Sequence, residues 1–324
     1  MKDAFWKDYG QRFRIELRGE PTKFMGIEIT RNRKAKTLSL TQEKFISTAC
    51  DKFLSSTCTK TFGTPVHSSK THEFMSISTA TSDADRAAMR NKPYMSLMGT
   101  LLWCVFTRPD VAYYVSFLCQ FMHDPSPDSY EAGLGVLAYL HSTRKLGLTF
   151  DGTKPHISVF SDSSWGQVPF PFGGHVVFYC GAAVAYVARK LKIAPQSSAE
   201  AETAVYSTSA KDLRFILNVL GPDGLKMSIM NPVAIYCDNE AAVSSIKKVG
   251  ATGRTRHYDI WLTYGREQYL SRISTPWWVS TTEQIADIFT KALDKTTFLK
   301  FRAALLNMHH DTVTDHMRAM INGP

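Results

Sequence analysis

Residues 233–245 read VAIYCDNEAAVSS, in which an apolar run ends at Asp238 and a helix-like pattern follows. This pattern predicts a buried strand that carries a carboxylate at its end. Residues 156–164, HISVFSDSS, repeat the arrangement with Asp162. Two parallel strands of this kind place both carboxylates at one edge of a sheet, where open α/β sheets bind their ligands. The alternative interpretation is that each aspartate is an ordinary turn or N-cap residue.

A long helix predicted over residues 198–220 contains two glutamates with different expected environments. At 100° per residue, Glu202 falls in the apolar stripe with Val205 and Leu213, whereas Glu200 lies on the opposite side, facing water. A carboxylate on a packing face costs several kcal/mol unless it is paired, protonated or bound to a cation. The sequence therefore favours Glu202 as a metal ligand. The alternative is that its side chain reaches solvent at the end of the stripe.

Clustered carboxylates favour a particular class of metal ion. Oxygen ligands without histidine or cysteine partners suit Mg²⁺, with Mn²⁺ able to substitute for it, better than Zn²⁺. Two such ions roughly 4 Å apart form a clamp for in-line attack on a phosphodiester. A formal net charge of +9 agrees with a nucleic-acid substrate.

Composition places the chain among globular proteins. A length of 324 residues with 44% apolar content predicts two domains. The six cysteines are scattered, which predicts free thiols in a reducing compartment. No apolar run has the length of a membrane span or the form of a signal peptide. We expect a soluble, cytoplasmic protein without a membrane partner; a virus-like particle and the nucleus are the alternative locations.

The pattern of elements divides the chain near residue 150. Residues 1–150 predict a β-hairpin, a long connection over residues 55–92 and three helices over residues 94–148. Residues 151–324 predict three strands, a helix, a strand, two helices, a strand and a final helix from Glu283. A mixed sheet covered by helices accommodates this order.

Five short blocks stand in order along the second part: FSDSSWG, SSAEAETAVYS, IYCDNEAAV, RTRHYDI and TTEQIADIFTKAL. They resemble the ribonuclease H domain of copia-type (Pseudoviridae-like) retrotransposon Pol polyproteins. Upstream, YMSLMGTLLW and TRPDVAYYVSFLCQFM resemble the end of the palm and the thumb or connection of the same family's reverse transcriptase. The resemblance implies a reverse-transcriptase remnant at residues 1–150. It also implies an α/β (α+β), ribonuclease H-like domain with a mixed five-stranded sheet at residues 151–324.

The resemblance also implies a catalytic quartet, Asp162, Glu202, Asp238 and Asp287, which binds two Mg²⁺ ions. Its implied reaction is hydrolysis of the RNA strand of an RNA·DNA hybrid. Only the resemblance selects Asp287, because a capping-box pattern from Ser280 predicts a helix that turns Asp287 toward solvent. The implied partners are the hybrid and the remainder of the Pol polyprotein.

Six further residues are candidates for contact with nucleic acid. Arg189, Lys190 and Lys192 follow the third strand and are candidates for phosphate contacts, and Gln196, Ser197 and Asn239 are candidates for contacts with ribose hydroxyls. The alternative roles are solvated strand-end charges and helix N-caps.

The sequence departs from the family pattern at several positions. Ser164 stands where the family has a second acidic residue, and Thr263 stands where it has a second histidine. His257 is therefore the one local candidate for proton handling or product release, and the alternative is a surface histidine. The Tyr-X-Asp-Asp signature of reverse transcriptases does not occur, so we expect no polymerase activity in this chain.

Two rival functions remain. Integrases share the fold, but their last acidic residue would fall near Ser274, where none is present. The other rival is a decayed, non-catalytic fragment that only binds nucleic acid.

Overall fold

The first part of the chain forms a small antiparallel sheet followed by helices. The computed structural model describes residues 10–14, 19–54, 63–165, 171–222, 224–248 and 259–323. The first sheet has the order β1 (Lys23–Phe24), β2 (Ile27–Asn32), β3 (Thr37–Thr41) and β4 (Leu148–Asp151). The helices between β3 and β4 are α1 (Glu43–Phe53), α2 (Thr71–Met75), α3 (Asp83–Met89), α4 (Tyr94–Val105), α5 (Ala112–Cys119) and α6 (Pro127–Ser142).

These bounds bear out part of the prediction for this region. The three helices expected over residues 94–148 are α4, α5 and α6. The long connection expected over residues 55–92 contains the short helices α2 and α3. Strand β4 was not predicted, and it pairs with β3, so that Leu148 lies opposite Leu40. The proposed division at residue 150 therefore falls within a strand, and it stays a proposal.

The second sheet is mixed and five-stranded, as expected. Its strands are β5 (Ile157–Ser163), β6 (Phe172–Tyr179), β7 (Ala182–Lys190), β8 (Val233–Cys237) and β9 (Ser274–Trp278). The order across the sheet is β7-β6-β5-β8-β9. The pairs β5–β6 and β6–β7 are antiparallel, whereas β5–β8 and β8–β9 are parallel. The turn between β6 and β7 uses positive φ at Cys180 and Gly181.

Helices cover both faces of this sheet. The later helices are α7 (Ser198–Leu220), α8 (Glu240–Lys247), α9 (Asp259–Leu270), α10 (Lys295–Leu305) and α11 (Asp315–Asn322). On one face, Tyr206 and Leu213 of α7 pack with Val159 of β5. On the other face, Phe160 and Phe178 belong to a core that includes residues of α4, α5, α6 and α10.

The prediction of a single helix from Glu283 is wrong. Two 3₁₀ segments, Thr281–Glu283 and Ile285–Phe289, precede α10. The side chain of Ser280 makes no cap hydrogen bond, and it is Asp294 that caps α10 by accepting from the backbone N–H groups of Thr296 and Thr297. Because a 3₁₀ segment advances by about 120° per residue, the α-helical phase that turned Asp287 toward solvent does not apply.

The described residues show two further features that bear on the predictions. No disulfide links the cysteines of these residues. No helix among them has the length and apolar character needed to cross a membrane.

Candidate active site

Four elements bring the predicted quartet together at one edge of the five-stranded sheet. Asp162 lies near the end of β5, and Asp238 follows β8, its parallel neighbour. Helix α7 contributes Glu202 and the second 3₁₀ segment contributes Asp287. Two groups of three side chains each have ligand atoms within 4.8 Å of one another. One group is Asp162, Asp238 and Asp287, and the other is Glu202, Cys237 and Asp238. Asp238 is therefore common to two overlapping groups of possible metal ligands.

Glu202 points into the sheet edge and is almost completely buried. Its Oε1 accepts hydrogen bonds from the backbone N–H and the hydroxyl of Ser163, both at 2.9 Å. The Cys237 thiol donates to its Oε2 at 3.6 Å. Burial, followed by the nearby charges of Asp162 and Asp238, raises the pKa of Glu202 well above its usual value. Within the described ranges, no cationic side chain forms an ion pair with Glu202 and neutralises its charge.

Glu200 lies outside both groups of possible ligands, as expected, but the prediction that it faces water is wrong. It is 6% exposed, and its Oε2 accepts a hydrogen bond from the backbone N–H of Gln196 at 2.7 Å. Its carboxylate therefore turns back toward the start of α7.

Hydroxyl groups orient the two strand-end aspartates. Thr290 donates to Oδ2 of Asp162 at 2.5 Å, and Thr281 donates to Oδ2 of Asp238 at 3.0 Å. Burial, followed by the charge of Asp162, raises the pKa of Asp238. Neither threonine was predicted, because each reaches its aspartate from a distant part of the chain.

Asp287 is buried, against the expectation from helical phase. Burial, followed by the charge of Asp162, raises its pKa to about 8, although the ammonium of Lys291 opposes the rise. Lys291 Nζ lies 2.8 Å from Oδ2 of Asp287. Oδ1 of Asp287 is buried and has no hydrogen-bond partner among the described residues. Lys291 stands four residues after Asp287, a spacing from which the ion pair could have been predicted.

The donor set fits a hard divalent cation. Four carboxylates converge at a poorly solvated edge, and burial, followed by their mutual repulsion, raises the pKa of three of them. Oxygen ligands of this kind are those that Mg²⁺, Mn²⁺ and Ca²⁺ prefer. A buried carboxylate oxygen without a partner is also accounted for by a cation. We infer that the edge is compatible with divalent metal binding.

Basic side chains lie two strands away along the same edge. Ser163 pairs with Gly173, which pairs in turn with Arg189, so the end of β7 stands about 10 Å from the end of β5. Arg189, Lys190 and Lys192 are exposed, and Arg189 Nη2 donates to the hydroxyl of Thr208 at 3.4 Å.

The polar candidates have mainly structural contacts. Ser197 is the N-cap of α7 and Asn239 is the N-cap of α8. The amide nitrogen of Asn239 donates to the hydroxyl of Ser198 at 2.7 Å, which joins the starts of the two helices. Gln196 has an exposed side chain. His257 lies outside the described residues.

The strand order β7-β6-β5-β8-β9, with carboxylates at the ends of the parallel strands β5 and β8, defines a ribonuclease H-like domain. No family model matches the chain. The chain is 28% identical over 299 residues to the Retrovirus-related Pol polyprotein from transposon RE1 of Arabidopsis thaliana, a match that covers 91% of this chain and 20% of that protein. It is 26% identical over 307 residues to the Pol polyprotein from transposon TNT 1-94 of Nicotiana tabacum, covering 93% and 22%. These homologues are copia-type Pol polyproteins of retrotransposons, and the chain spans about a fifth of their length.

Other similarities cover smaller regions. The chain is 35% identical over 130 residues to secreted RxLR effector protein 161 of Plasmopara viticola. This match covers 38% of this chain and 91% of that protein. An N-terminal ribonuclease H domain from Mycobacterium tuberculosis matches with a TM-score of 0.31 and 15% identity, covering 42% of this chain and 95% of that chain. LC11-RNase H1 in complex with an RNA/DNA hybrid matches with a TM-score of 0.31 and 13% identity, covering 41% and 93%. The fold assignment rests on the strand order rather than on these scores.

Proposed function

We propose that the chain is a ribonuclease H that hydrolyses the RNA strand of RNA·DNA hybrids with two Mg²⁺ ions, which Mn²⁺ can replace. The observation that carries the proposal is the convergence of Asp162, Glu202, Asp238 and Asp287 at the ends of two parallel strands. Similarity to the Pol polyproteins supports a nucleic-acid substrate. The absence of the Tyr-X-Asp-Asp signature from the sequence supports a chain without polymerase activity of its own.

Each carboxylate has a distinct part in this proposal. Asp238 belongs to both ligand groups and would help to hold both cations, with Asp162 and Asp287 as the further ligands of one and Glu202 as the further ligand of the other. The bound ions would activate a water molecule and stabilise the charge on the leaving 3′ oxygen. The hydroxyls of Thr290 and Thr281 hold two of these carboxylates in place.

The substrate is bound along the same edge. Arg189, Lys190 and Lys192 stand where they can contact the phosphates of a strand that crosses the carboxylates, and such contacts make affinity dependent on salt. Gln196, Ser197 and Asn239 border the cluster and are proposed to contact ribose hydroxyls, the groups by which RNA differs from DNA. A role for His257 in proton handling, and association with the remainder of the Pol polyprotein, stay proposals.

Cleavage of defined substrates tests the function. The purified chain is incubated with RNA·DNA hybrid, duplex RNA or duplex DNA, in Mg²⁺, Mn²⁺ or EDTA. We expect cleavage of the hybrid's RNA strand alone, with either metal, and none in EDTA. Asp162→Asn should abolish it, whereas the exposed Asp128→Asn should not. Binding of hybrid without cleavage under any metal condition would favour the non-catalytic alternative.

A further inference from the structure

The thiol of Cys237 lies within the carboxylate cluster. Cys237 ends strand β8 and is 1% exposed. Its Sγ lies 3.6 Å from Oε2 of Glu202 and 4.0 Å from the backbone oxygen of Asn239. Its Sγ and one oxygen each of Glu202 and Asp238 all lie within 4.8 Å of one another. A soft sulfur donor therefore lies among hard oxygen donors. The proposed Mg²⁺ chemistry uses the oxygens but not the sulfur.

The separation of the sulfur from one of the oxygens suits a tetrahedral ion. With Zn–S of about 2.3 Å, Zn–O of about 2.1 Å and tetrahedral angles, the sulfur and oxygen ligands lie about 3.6 Å apart. The observed separation between Cys237 and Glu202 is the same. Mg²⁺ instead requires near-octahedral oxygen ligands, so the sulfur gives it no advantage.

A second observation, in the ligand group that shares Asp238, also points to a cation at this edge. The buried Oδ1 of Asp287 has no hydrogen-bond partner in the described part of the chain, and Asp287 shares a ligand group with Asp238. Among the described residues, the ammonium that pairs with Asp287 is that of Lys291, and it contacts the other oxygen, Oδ2.

We propose that Glu202, Cys237 and Asp238 form a site for one thiophilic divalent cation, Zn²⁺ or Cd²⁺, which competes with Mg²⁺ for the cluster. Two protein oxygens and one sulfur leave the fourth tetrahedral position to solvent. The ion itself promotes loss of the thiol proton to the buffer. Glu202 cannot serve both kinds of ion at once, so occupation by the thiophilic ion excludes Mg²⁺ from the position that Glu202 serves. The competition rests on the proposed function, but the binding of a thiophilic ion does not.

Cadmium binding tests the site without any measurement of activity. The reduced full chain in metal-free buffer is titrated with Cd²⁺ while the ultraviolet sulfur-to-cadmium charge-transfer absorption is recorded. We expect one equivalent of Cd²⁺ to saturate a band that Cys237→Ser removes and that the matched control Cys119→Ser retains. Glu202→Gln keeps the thiol but should weaken Cd²⁺ binding by at least about tenfold.

Two results would overturn the proposal. The first is a band that persists in Cys237→Ser, because the thiolate ligand would then be another cysteine. The second is unchanged Cd²⁺ affinity in Glu202→Gln, which decides the matter even if Cys237→Ser does not fold.

Competition with the hard ion is measured separately. Mn²⁺ is bound to the chain, Zn²⁺ is added, and released Mn²⁺ is followed by electron paramagnetic resonance. One equivalent of Zn²⁺ should release Mn²⁺ from the unmodified chain, and Cys237→Ser should require at least about tenfold more. A cadmium band without Mn²⁺ release would refute the sharing of ligands. Failure of Mn²⁺ to bind at all would instead contradict the proposed function and leave the thiophilic site standing.

Discussion

Replacing Asp238 by asparagine tests the central feature of the site, because Asp238 is the carboxylate that both ligand groups share. The change keeps the shape of the side chain and removes one negative charge. We expect two opposite effects. The variant should lose metal binding and hybrid cleavage, and its metal-free form should be more stable than the unmodified chain.

The magnitudes follow from the separations in the cluster. Two unit charges 4.8 Å apart interact by about 3.5 kcal/mol at an effective dielectric constant of roughly 20. A carboxylate that is a direct ligand lies closer than this to a doubly charged ion, so the lost attraction exceeds about 7 kcal/mol before water and the remaining ligands compensate. A net loss of about 2.8 kcal/mol, roughly a hundredfold in affinity, is therefore a minimum.

Stability changes in the other direction. Burial, followed by the charge of Asp162, raises the pKa of Asp238, so ionised Asp238 destabilises the metal-free fold. Because Asp238 is only half-buried, solvent reduces the repulsion, and we expect a gain of about 1 kcal/mol.

Three measurements distinguish these effects from simple misfolding. Mn²⁺ affinity is measured by electron paramagnetic resonance, the cleavage rate with labelled hybrid, and the free energy of unfolding by urea in EDTA at pH 8. Asp311→Asn, an exposed aspartate outside the cluster, is the matched control and should change none of them. Full activity in Asp238→Asn, or a metal-free form that is less stable by more than about 1 kcal/mol, would refute the reasoning.

Three further predictions concern the surroundings of the cluster. Because the pKa of Asp287 is raised to about 8, the metal-free fold holds a proton on Asp287 that the unfolded chain loses near pH 4. The contribution of Asp287 to stability should therefore fall between about pH 4 and pH 8 by at most about 1.4 kcal/mol per pH unit, and Asp287→Asn should remove this part of the slope from a urea-unfolding series in EDTA while the part due to Glu202 remains. Thr290→Val removes the hydroxyl that donates to Asp162, and Mn²⁺ affinity should fall about tenfold to a hundredfold while the urea midpoint changes little. A methyl group in Gly174→Ala would lie 2.4 Å from Cβ of Phe289, so thermal unfolding should show a loss of about 1–3 kcal/mol and cleavage assays a loss of activity, since the displaced segment also carries Asp287.

The sequence contained enough information to place three of the four carboxylates. Asp162 and Asp238 follow apolar runs, and the strand pattern alone predicts that parallel neighbours bring them to one edge. The phase of α7 selected Glu202 over Glu200, because α-helical periodicity holds throughout that element. These are local regularities, and for that reason they could be read without knowledge of tertiary structure.

The remaining features depend on contacts that local patterns do not contain. Glu200 is buried because its carboxylate folds back onto the backbone of Gln196. Asp287 lies on a 3₁₀ segment, so the α-helical phase gave the wrong face, and only the family resemblance selected it. Thr290 reaches Asp162 across 128 residues of sequence, a separation over which no periodicity is informative.

The helices before residue 150 contribute to the site through the core. Phe160, two residues before Asp162, is fully buried in the cluster of side chains that includes α4, α5 and α6. Within that core the guanidinium of Arg108 pairs with Asp110 at 2.7 Å, and the hydroxyl of Tyr139 donates to the same carboxylate.

Arg302 of α10 extends this buried network, because its Nη1 donates to the hydroxyl of Tyr139 at 3.2 Å. The network therefore links the early helices to α10, and α10 packs against the 3₁₀ segment that carries Asp287. Loss of one partner of a buried ion pair costs about 3–5 kcal/mol, so this link is strong. The early helices thus cover one face of the sheet and support the segment that completes the carboxylate cluster. The early helices therefore have a structural reason to accompany the ribonuclease H-like domain that does not depend on nucleotide addition.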